Sequence, residues 1–384
     1  MKLSFRSVLA GVAGIVLLWT TPAIGQITEG TPGEEPSVGI GAEPESVSES
    51  EEGNGLLSEP CLYGGVDCGC PVCCYQPLWY AEVGALFLNR DRARRFKLIE
   101  DQNDSTGEPD PRPGHRREIV SSAVLDFDYE TGPQLVIGRY LDDCRRVEVR
   151  YFGLHHWRTG FGIDSTAVPP ANPNLSLPFD SNYTNDFDGA LHVDVSYKSE
   201  LHNVEVNLLD DRHSCFTRLI GFRYLNLNED FDYESTDAAG SIPSTSNYLI
   251  GTDNHLVGFQ IGGIVEREVC ERFCVDLTGK LGAYVNFAEQ STFLGDRFDN
   301  ENVRRDFRER QGELAFIGEL RFGCAYQLTK SMAAIAGYQL MWVEGVALAP
   351  EQLDLTTTPL SGSGLNDNGG VFYDGAYVGI RVVR

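Results

Sequence analysis

From Trp79 onward, the chain alternates apolar and polar residues over long runs. Residues 145–152, RRVEVRYF, place Val147 on one side of an extended chain and its neighbour Glu148 on the other. The run CVDLTGKLGAYVNF at 274–287 alternates in the same way. Because successive side chains on a β-strand point to opposite faces, a period of two predicts strands and not helices.

The alternation predicts ten strands. Most of them are ten or more residues long, whereas an average strand in a globular protein has about 5–6 residues. A strand of about 9–11 tilted residues is long enough to cross a bilayer. The predicted strands are 79–90, 131–142, 145–160, 196–209, 215–229, 255–267, 273–289, 312–327, 331–346 and 371–383.

The connections between these strands alternate between short and long. Tight connections such as LDDCRR at 141–146 follow every second strand, and long polar ones such as 91–130 and 230–254 lie between them. Short connections at one end and long ones at the other are typical of a transmembrane β-barrel with periplasmic turns and outer loops. We therefore predict an all-β, antiparallel, up-and-down transmembrane β-barrel of about ten strands, with twelve as the alternative.

The chain resembles bacterial outer-membrane β-barrel proteins, and most of all the outer-membrane barrel family of planctomycete-type bacteria. The resemblance covers 79–384, which we take as the barrel domain. It implies an outer-membrane location, contact with outer-membrane lipid and porin-like passage, and it indicates no particular solute. The segments that carry it are WYAEVGALFL, ETGPQLVIGRYL, VEVRYFGLHHW, LIGFRYLNLNEDF and AYVGIRVVR.

The residues before the barrel divide into three predicted segments. A basic start, an apolar run at 8–19 and small residues before Gln26 predict a secretory signal peptide over 1–25, with an uncleaved anchor as the alternative. Residues 26–60 are rich in Glu, Ser, Gly and Pro and contain no aromatic residue, which predicts a disordered acidic linker. A cysteine-rich periplasmic segment follows at 61–78.

The ten cysteines form two groups, one in the segment before the barrel and one near the predicted short turns. Both groups belong to the same end of the predicted barrel, so we expect one periplasmic disulfide system. A thiolate metal site and disulfides to other envelope proteins are the alternatives. The cysteines are Cys61, Cys68, Cys70, Cys73, Cys74, Cys144, Cys215, Cys270, Cys274 and Cys324.

The polar face of the predicted strands carries charges of both signs. Charges inside a barrel must pair or stay hydrated, and about eight strands leave a lumen that side chains fill. We therefore expect a plugged or narrow lumen in which acids and bases pair. The predicted lumenal charges are Glu82, Arg139, Glu148, Arg150, Glu205, Arg223, Asp276, Lys280, Glu319, Arg321 and Arg381.

Several function classes have little support in the sequence. A formal net charge of −25 argues against a nucleic-acid partner. No nucleotide-binding, hydrolase or zinc-protease motif occurs, so we expect neither an enzyme nor a cofactor. His155 and His156 are adjacent and should point to opposite faces of their strand, so we expect no metal site there. Near His202 the alternation suggests a bulge.

Two functional hypotheses remain. The first is a porin-like or narrow channel with a charge-paired lumen in the bacterial outer membrane. The second is a structural or surface-interaction anchor of the outer membrane, cross-linked through its periplasmic cysteines. The sequence indicates neither the oligomeric state nor an extracellular ligand.

Overall fold

The structure is a computed structural model that describes residues 79–102, 116–141, 144–166, 174–179, 187–211, 216–237, 244–296, 305–356 and 364–384. All of them lie in one compact unit, Pro60–Arg384. The predicted signal peptide, acidic linker and cysteine-rich segment lie outside the described residues, so their boundaries stay predictions.

Thirteen strands occur among the described residues, all joined in one antiparallel sheet. They are β1 (Trp79–Arg90), β2 (Lys97–Asp101), β3 (Glu118–Ser121), β4 (Glu130–Tyr140), β5 (Arg145–Asp164), β6 (Leu175–Ser176), β7 (Asp188–Asp210), β8 (Thr217–Asp237), β9 (Ser244–Cys270), β10 (Phe273–Asp296), β11 (Arg305–Thr329), β12 (Met332–Val346) and β13 (Gly369–Val383). Two short 3-10 helices, Ser122–Val124 and Ala349–Gln352, complete the described elements. No helix in this part of the chain is long and apolar enough to span a membrane.

Ten of the described strands close into a barrel. Each pairs with its neighbour in the order β1, β4, β5, β7, β8, β9, β10, β11, β12, β13, and β13 pairs again with β1. Each of these strands overlaps one predicted strand, which confirms the predicted antiparallel β-barrel. Trp79 and Arg384 exchange two backbone hydrogen bonds of 3.0 and 2.9 Å, so both ends of the barrel chain meet at the short-turn end.

An apolar belt covers the outer face of the barrel. Ile220 on β8 is 57% exposed, and Phe259 and Ile261 on β9 are 75% and 66% exposed. Large apolar side chains this exposed on many neighbouring strands need an apolar environment, and an outward apolar band is what lipid contact requires. The belt therefore marks the part of the barrel that lies in the membrane.

Beyond the belt, toward the long loops, the strands continue with the opposite pattern. On β8 the outward residues change from Ile220 and Phe222 to Asp230 and Asp232, while Phe231 is fully buried inside. Outside the membrane, water solvates the outer face and the barrel interior becomes the apolar side. The predicted long loop at 230–254 is therefore wrong, since β8 and β9 extend through it and leave only 238–243 between them.

The outer mouth of the barrel is covered by its own connections. The short strands β2, β3 and β6 lie in the segments that join β1 to β4 and β5 to β7. Their Leu98, Ile99 and Leu175 are buried in the same apolar cluster as the barrel interior. Arg116, which precedes β3, donates a 2.7 Å hydrogen bond to Asp188 at the start of β7.

A second connection enters the barrel itself. After β12 the chain runs through 347–352, which we call the plug loop, and Leu348 and Ala349 in it are almost fully buried. Gly345 has a φ of 84°, in the left-handed region that favours glycine, and the β12–β13 register shifts between Glu344 and Val346. This irregularity redirects the chain from the barrel wall into its mouth.

Candidate functional site in the barrel lumen

A layer of polar side chains crosses the lumen near its middle. Eight strands contribute one residue each, so the layer reaches around most of the barrel wall. We call it the polar layer. Its members are Gln134 on β4, Arg150 on β5, Glu205 on β7, Arg223 on β8, Gln260 on β9, Lys280 on β10, Glu319 on β11 and Gln339 on β12.

Two buried carboxylates organise the polar layer. Glu205 accepts a hydrogen bond of 2.7 Å from Arg223 and one of 2.8 Å from Lys280. Glu319 also accepts a hydrogen bond from Arg223 and lies 3.3 Å from the Lys280 ammonium. Since the side chains of these four residues are at most 4% exposed, each charge depends on the others for compensation.

Neutral amides complete the polar layer. Gln260 donates a 2.8 Å hydrogen bond to Glu205, and Arg150 donates to Gln339 at 3.0 Å and to Gln134 at 3.3 Å. Three cations face two carboxylates, 3 − 2, so the polar layer carries a net charge of +1. Its connected hydrogen bonds reach across the lumen and narrow it at this level.

On the short-turn side of the polar layer lies a small polar vestibule with a cavity volume of about 70 Å³. Arg381 donates a 2.7 Å hydrogen bond to Glu82, and Tyr80 donates a 2.8 Å hydrogen bond to Glu148. The guanidinium of Arg321 stacks 3.7 Å from the ring centre of Tyr377. The vestibule therefore holds paired charges of both signs and ends at the polar layer.

On the outer side of the polar layer, the lumen is filled by apolar side chains and the plug loop. Asn254 on β9 binds the backbone of Ala347 twice, accepting from its N–H at 2.7 Å and donating to its carbonyl at 2.8 Å. Glu229 on β8 accepts a 2.9 Å hydrogen bond from the Ala349 N–H. Strand side chains thus hold the plug loop inside the barrel.

A buried ion pair supports this contact. Arg90 lies 2.5 Å from Glu229, and both side chains are fully buried. Tyr197 donates a 2.8 Å hydrogen bond to Glu229 and accepts one of 2.7 Å from Arg90. The Glu229 carboxylate, which binds the plug loop, is therefore held in place by Arg90 from β1 and Tyr197 from β7.

Ten of the predicted lumenal charges lie on the inner face of the barrel. Arg150, Glu205, Arg223, Lys280 and Glu319 meet in the polar layer. Glu82, Glu148, Asp276, Arg321 and Arg381 line the vestibule.

Arg139 lies elsewhere. It is exposed on the outer face of β4, with its guanidinium 5.1 Å from the ring centre of Trp79, so its predicted lumenal position needs correction. On β4 the inward residues are even-numbered, from Gly132 to Tyr140. None of these five residues is charged, so no inward charge could show which face of β4 lies inside. The only basic residue of the strand falls on the outer face near the short-turn end.

The charged residues inside the barrel that sequence reasoning missed include Arg90, Arg146, Glu229 and Glu266. Arg90 and Glu229 are the last residues of the predicted strands 79–90 and 215–229, and the end of a strand is the least certain part of such a prediction. Arg146 and Glu266 lie near the short-turn ends of β5 and β9. The alternation of β5 and β9, continued to the strand ends, was the signal that could have found the last two.

Four cysteines lie among the described residues, all toward the short-turn end. Cys270 and Cys274 lie on either side of the β9–β10 turn, Cys144 precedes β5 and Cys324 lies on β11. Within this part of the chain, no disulfide joins them to one another. The other predicted disulfide cysteines, Cys61, Cys68, Cys70, Cys73, Cys74 and Cys215, lie outside the described residues, so the disulfide system stays a prediction.

The sequence also matches a known family. The model of the family described as Putative beta barrel porin-7 (BBP7) matches residues 115–363, which is more than half of the chain. The chain belongs to this family. This BBP7 barrel is therefore a bacterial outer-membrane β-barrel of porin-like class. The planctomycete-type part of the resemblance stays a prediction.

This chain is also similar to several solved structures of bacterial proteins. The outer membrane protease OmpT from Escherichia coli has 8% identity and a TM-score of 0.44, with 80% of this chain and 97% of that chain covered. A Pseudomonas aeruginosa FadL homologue has 10% identity and a TM-score of 0.31, with coverages of 83% and 94%. The P. putida toluene transporter TodX has 10% identity and a TM-score of 0.29, with coverages of 79% and 89%. No curated protein matches this BBP7 barrel. The solved structures are too distant in sequence and in TM-score to support an inference about function.

Proposed function

We propose that this protein is a narrow outer-membrane channel that is closed in the conformation described and conducts when the plug loop leaves the barrel mouth. The observation that carries the proposal is the polar layer, which places hydrogen-bonding groups of both signs across the lumen at the level of the apolar belt. A barrel that served only as an anchor could fill the same space with apolar side chains at lower cost, because desolvating charges is unfavourable. Polar groups at this depth favour a lumen that water and small solutes enter.

The charges of the polar layer limit what such a channel would pass. Glu205 and Glu319 bridge three cations, so the side chains restrict the lumen even when the plug loop is absent. About sixteen strands are needed for a wide aqueous pore, and this barrel has ten. We therefore expect a small conductance suited to ions and small polar solutes, and no passage of large ones.

A conductance measurement in planar bilayers tests the proposal. Wild-type protein should give rare, small conductance steps, because the plug loop closes the mouth most of the time. Asn254→Ala removes both hydrogen bonds to Ala347 and should raise the open probability severalfold. Asn228→Ala is the matched control, since Asn228 is exposed on the outer face of β8 and should leave the open probability unchanged.

The second candidate is an outer-membrane anchor, with the cysteines cross-linking the barrel to other envelope proteins at its periplasmic end. The filling of the outer part of the lumen by apolar side chains and the plug loop supports it, because an anchor needs no open path. Bilayers that stay silent with both the wild type and Asn254→Ala would reject the channel and favour the anchor. Conductance that Asn228→Ala raises as strongly as Asn254→Ala would reject the role of the plug loop.

A further inference from the structure

Two histidines and a glutamate meet on the outer face of the barrel, just above the apolar belt. His155 comes from β5, and Glu200 and His202 come from β7. The next outward residues of β7 on the membrane side are Val204 and Val206, which are exposed and apolar. The three side chains therefore lie at the boundary between the lipid belt and the outer aqueous side.

A β-bulge brings His155 to this place. Leu154 pairs with Leu201 and Trp157 pairs with Ser199, so His155 and His156 together oppose the single residue Glu200. Leu154 and Trp157 are buried, whereas His155 and His156 both remain outside the packed interior. The expectation that adjacent histidines point to opposite faces is wrong here, because the extra residue of a bulge breaks the alternation. The bulge suggested near His202 lies on the partner strand instead.

Glycine at position 153 gives the two imidazoles room to approach each other. Gly153 pairs with His202, and a Cβ added at Gly153 would lie 3.1 Å from Nδ1 of His202 and 3.2 Å from Nε2 of His155. The ring centres of the two histidines are 4.4 Å apart. A side chain at position 153 would crowd both imidazole rings, and its Cβ would lie only 2.5 Å from the Tyr151 hydroxyl.

We propose that His155, Glu200 and His202 form a surface site for a divalent transition metal of the zinc type. Their candidate ligand atoms, one from each residue, all lie within 4.8 Å of one another. Two imidazoles and one carboxylate are a ligand set that suits Zn²⁺ and leaves a fourth position for water. The site lies on the outer face, so this proposal does not depend on whether the lumen conducts.

The geometry needs only a small adjustment to bind the metal. With metal–ligand distances of about 2.0–2.2 Å, a tetrahedral shell places its ligand atoms about 3.3 Å apart. Glu200 is exposed and can rotate toward the histidines without disturbing packing. Tyr151, whose hydroxyl lies 3.3 Å from Nδ1 of His202, is placed to hold that ring in position while its other nitrogen binds the metal.

The ligand set also predicts selectivity. Ca²⁺ and Mg²⁺ require six or more oxygen ligands, which two imidazoles and one carboxylate do not provide. Borderline metals bind imidazole well. Zn²⁺ is therefore the probe of choice, and a large excess of Ca²⁺ or Mg²⁺ should not displace it.

Calorimetric titration of untagged, detergent-folded protein with Zn²⁺ tests the site. We expect one Zn²⁺ per chain in the wild type, and affinity at least about tenfold weaker in His155→Gln and in His202→Gln. Gly153→Ala removes no ligand but should also weaken binding, because its methyl group would displace the Tyr151 hydroxyl and crowd both imidazole rings. Co²⁺ added in place of Zn²⁺ should give the visible absorption of a tetrahedral complex in the wild type, but not in His155→Gln or His202→Gln.

His156→Gln is the matched control, because His156 is the neighbouring histidine, its side chain is 70% exposed, and it lies outside the proposed ligand set. It should bind Zn²⁺ as the wild type does. Equal loss of affinity in His156→Gln, or unchanged affinity in both His155→Gln and His202→Gln, would overturn the proposal. A mobility shift on boiling, measured for every variant, shows that each one folds.

Discussion

At the scale of single residues, position decides what a charge contributes. Glu205 and Glu200 lie on the same strand, five residues apart and on opposite faces. The side chain of Glu205 is fully buried and compensates Arg223 and Lys280, whereas Glu200 is exposed above the lipid belt. The sequence shows two glutamates on one strand. Only the face of the barrel wall on which each side chain lies distinguishes them.

Glu205→Gln should destabilise the barrel strongly. The substitution keeps the size of the side chain but leaves Arg223 and Lys280 without their shared carboxylate, and removing one partner of a buried ion pair costs about 3–5 kcal/mol. Urea unfolding in lipid vesicles, followed by tryptophan fluorescence, measures this change in the free energy of unfolding.

Glu200→Gln, measured with a chelator present, is the control. Its free energy of unfolding should lie within about 0.5 kcal/mol of the wild type, as for most exposed substitutions. Equal effects of the two substitutions would show that the polar layer does not depend on Glu205 for compensation.

At the scale of strands, apolar residues recur with a period of two along the whole strand, but they face outward in one part and inward in another. Within the belt, the outward residues of β8 are apolar, as in Ile220 and Phe222. Above it, the inward residues Leu225, Leu227 and Phe231 are the apolar ones. The period of two is therefore constant along the strand, while the face that carries the apolar residues depends on whether lipid or water surrounds the barrel.

Ile261→Arg should test the position of the belt. Ile261 is 66% exposed on β9, and an arginine on the lipid face near the bilayer middle costs about 2–4 kcal/mol. Asn228→Arg, placed on the outer face of β8 beyond the belt, should cost about 0–1 kcal/mol. Both values come from urea unfolding in vesicles, and similar costs at the two positions would contradict the assignment of the belt.

At the scale of the whole molecule, the closure of the sheet defines the protein. The β1–β13 and β7–β8 pairings remove free edges from the ten barrel strands, so each barrel strand has a partner on both sides. Closure also brings Arg150, Glu205 and Glu319 from distant parts of the sequence into one layer. The lumen and its plug exist only because the barrel is complete.

Electrophoresis of unboiled and boiled samples, without and with reductant, tests both closure and the cysteine system. A closed barrel resists detergent until it is heated, so its mobility should change on boiling. If the cysteines before the barrel bond to the periplasmic turns or to other envelope proteins, reductant should change the mobility of boiled samples. A variant with serine at Cys61, Cys68, Cys70, Cys73 and Cys74 should then lose the effect of reductant and keep the effect of heat.

The fold was largely predictable because its signal is local. Alternation and strand length identified ten strands, and the alternation of connection lengths identified a barrel with short turns at one end. Arg139 and the segment 230–254 were among the exceptions. In both, the period of two was present, but the sequence did not show which face was inside or where the lipid belt ended.

The candidate site was only partly predictable. The sequence placed charges on the polar face of the strands, since polarity at every second residue is a property of each strand by itself. The plug loop, the Arg90–Glu229 pair and the bulge at His155 were decided by tertiary structure. Each depends on which strands are neighbours and on what space closure leaves inside, and contacts between residues far apart in the chain leave no local periodicity to read.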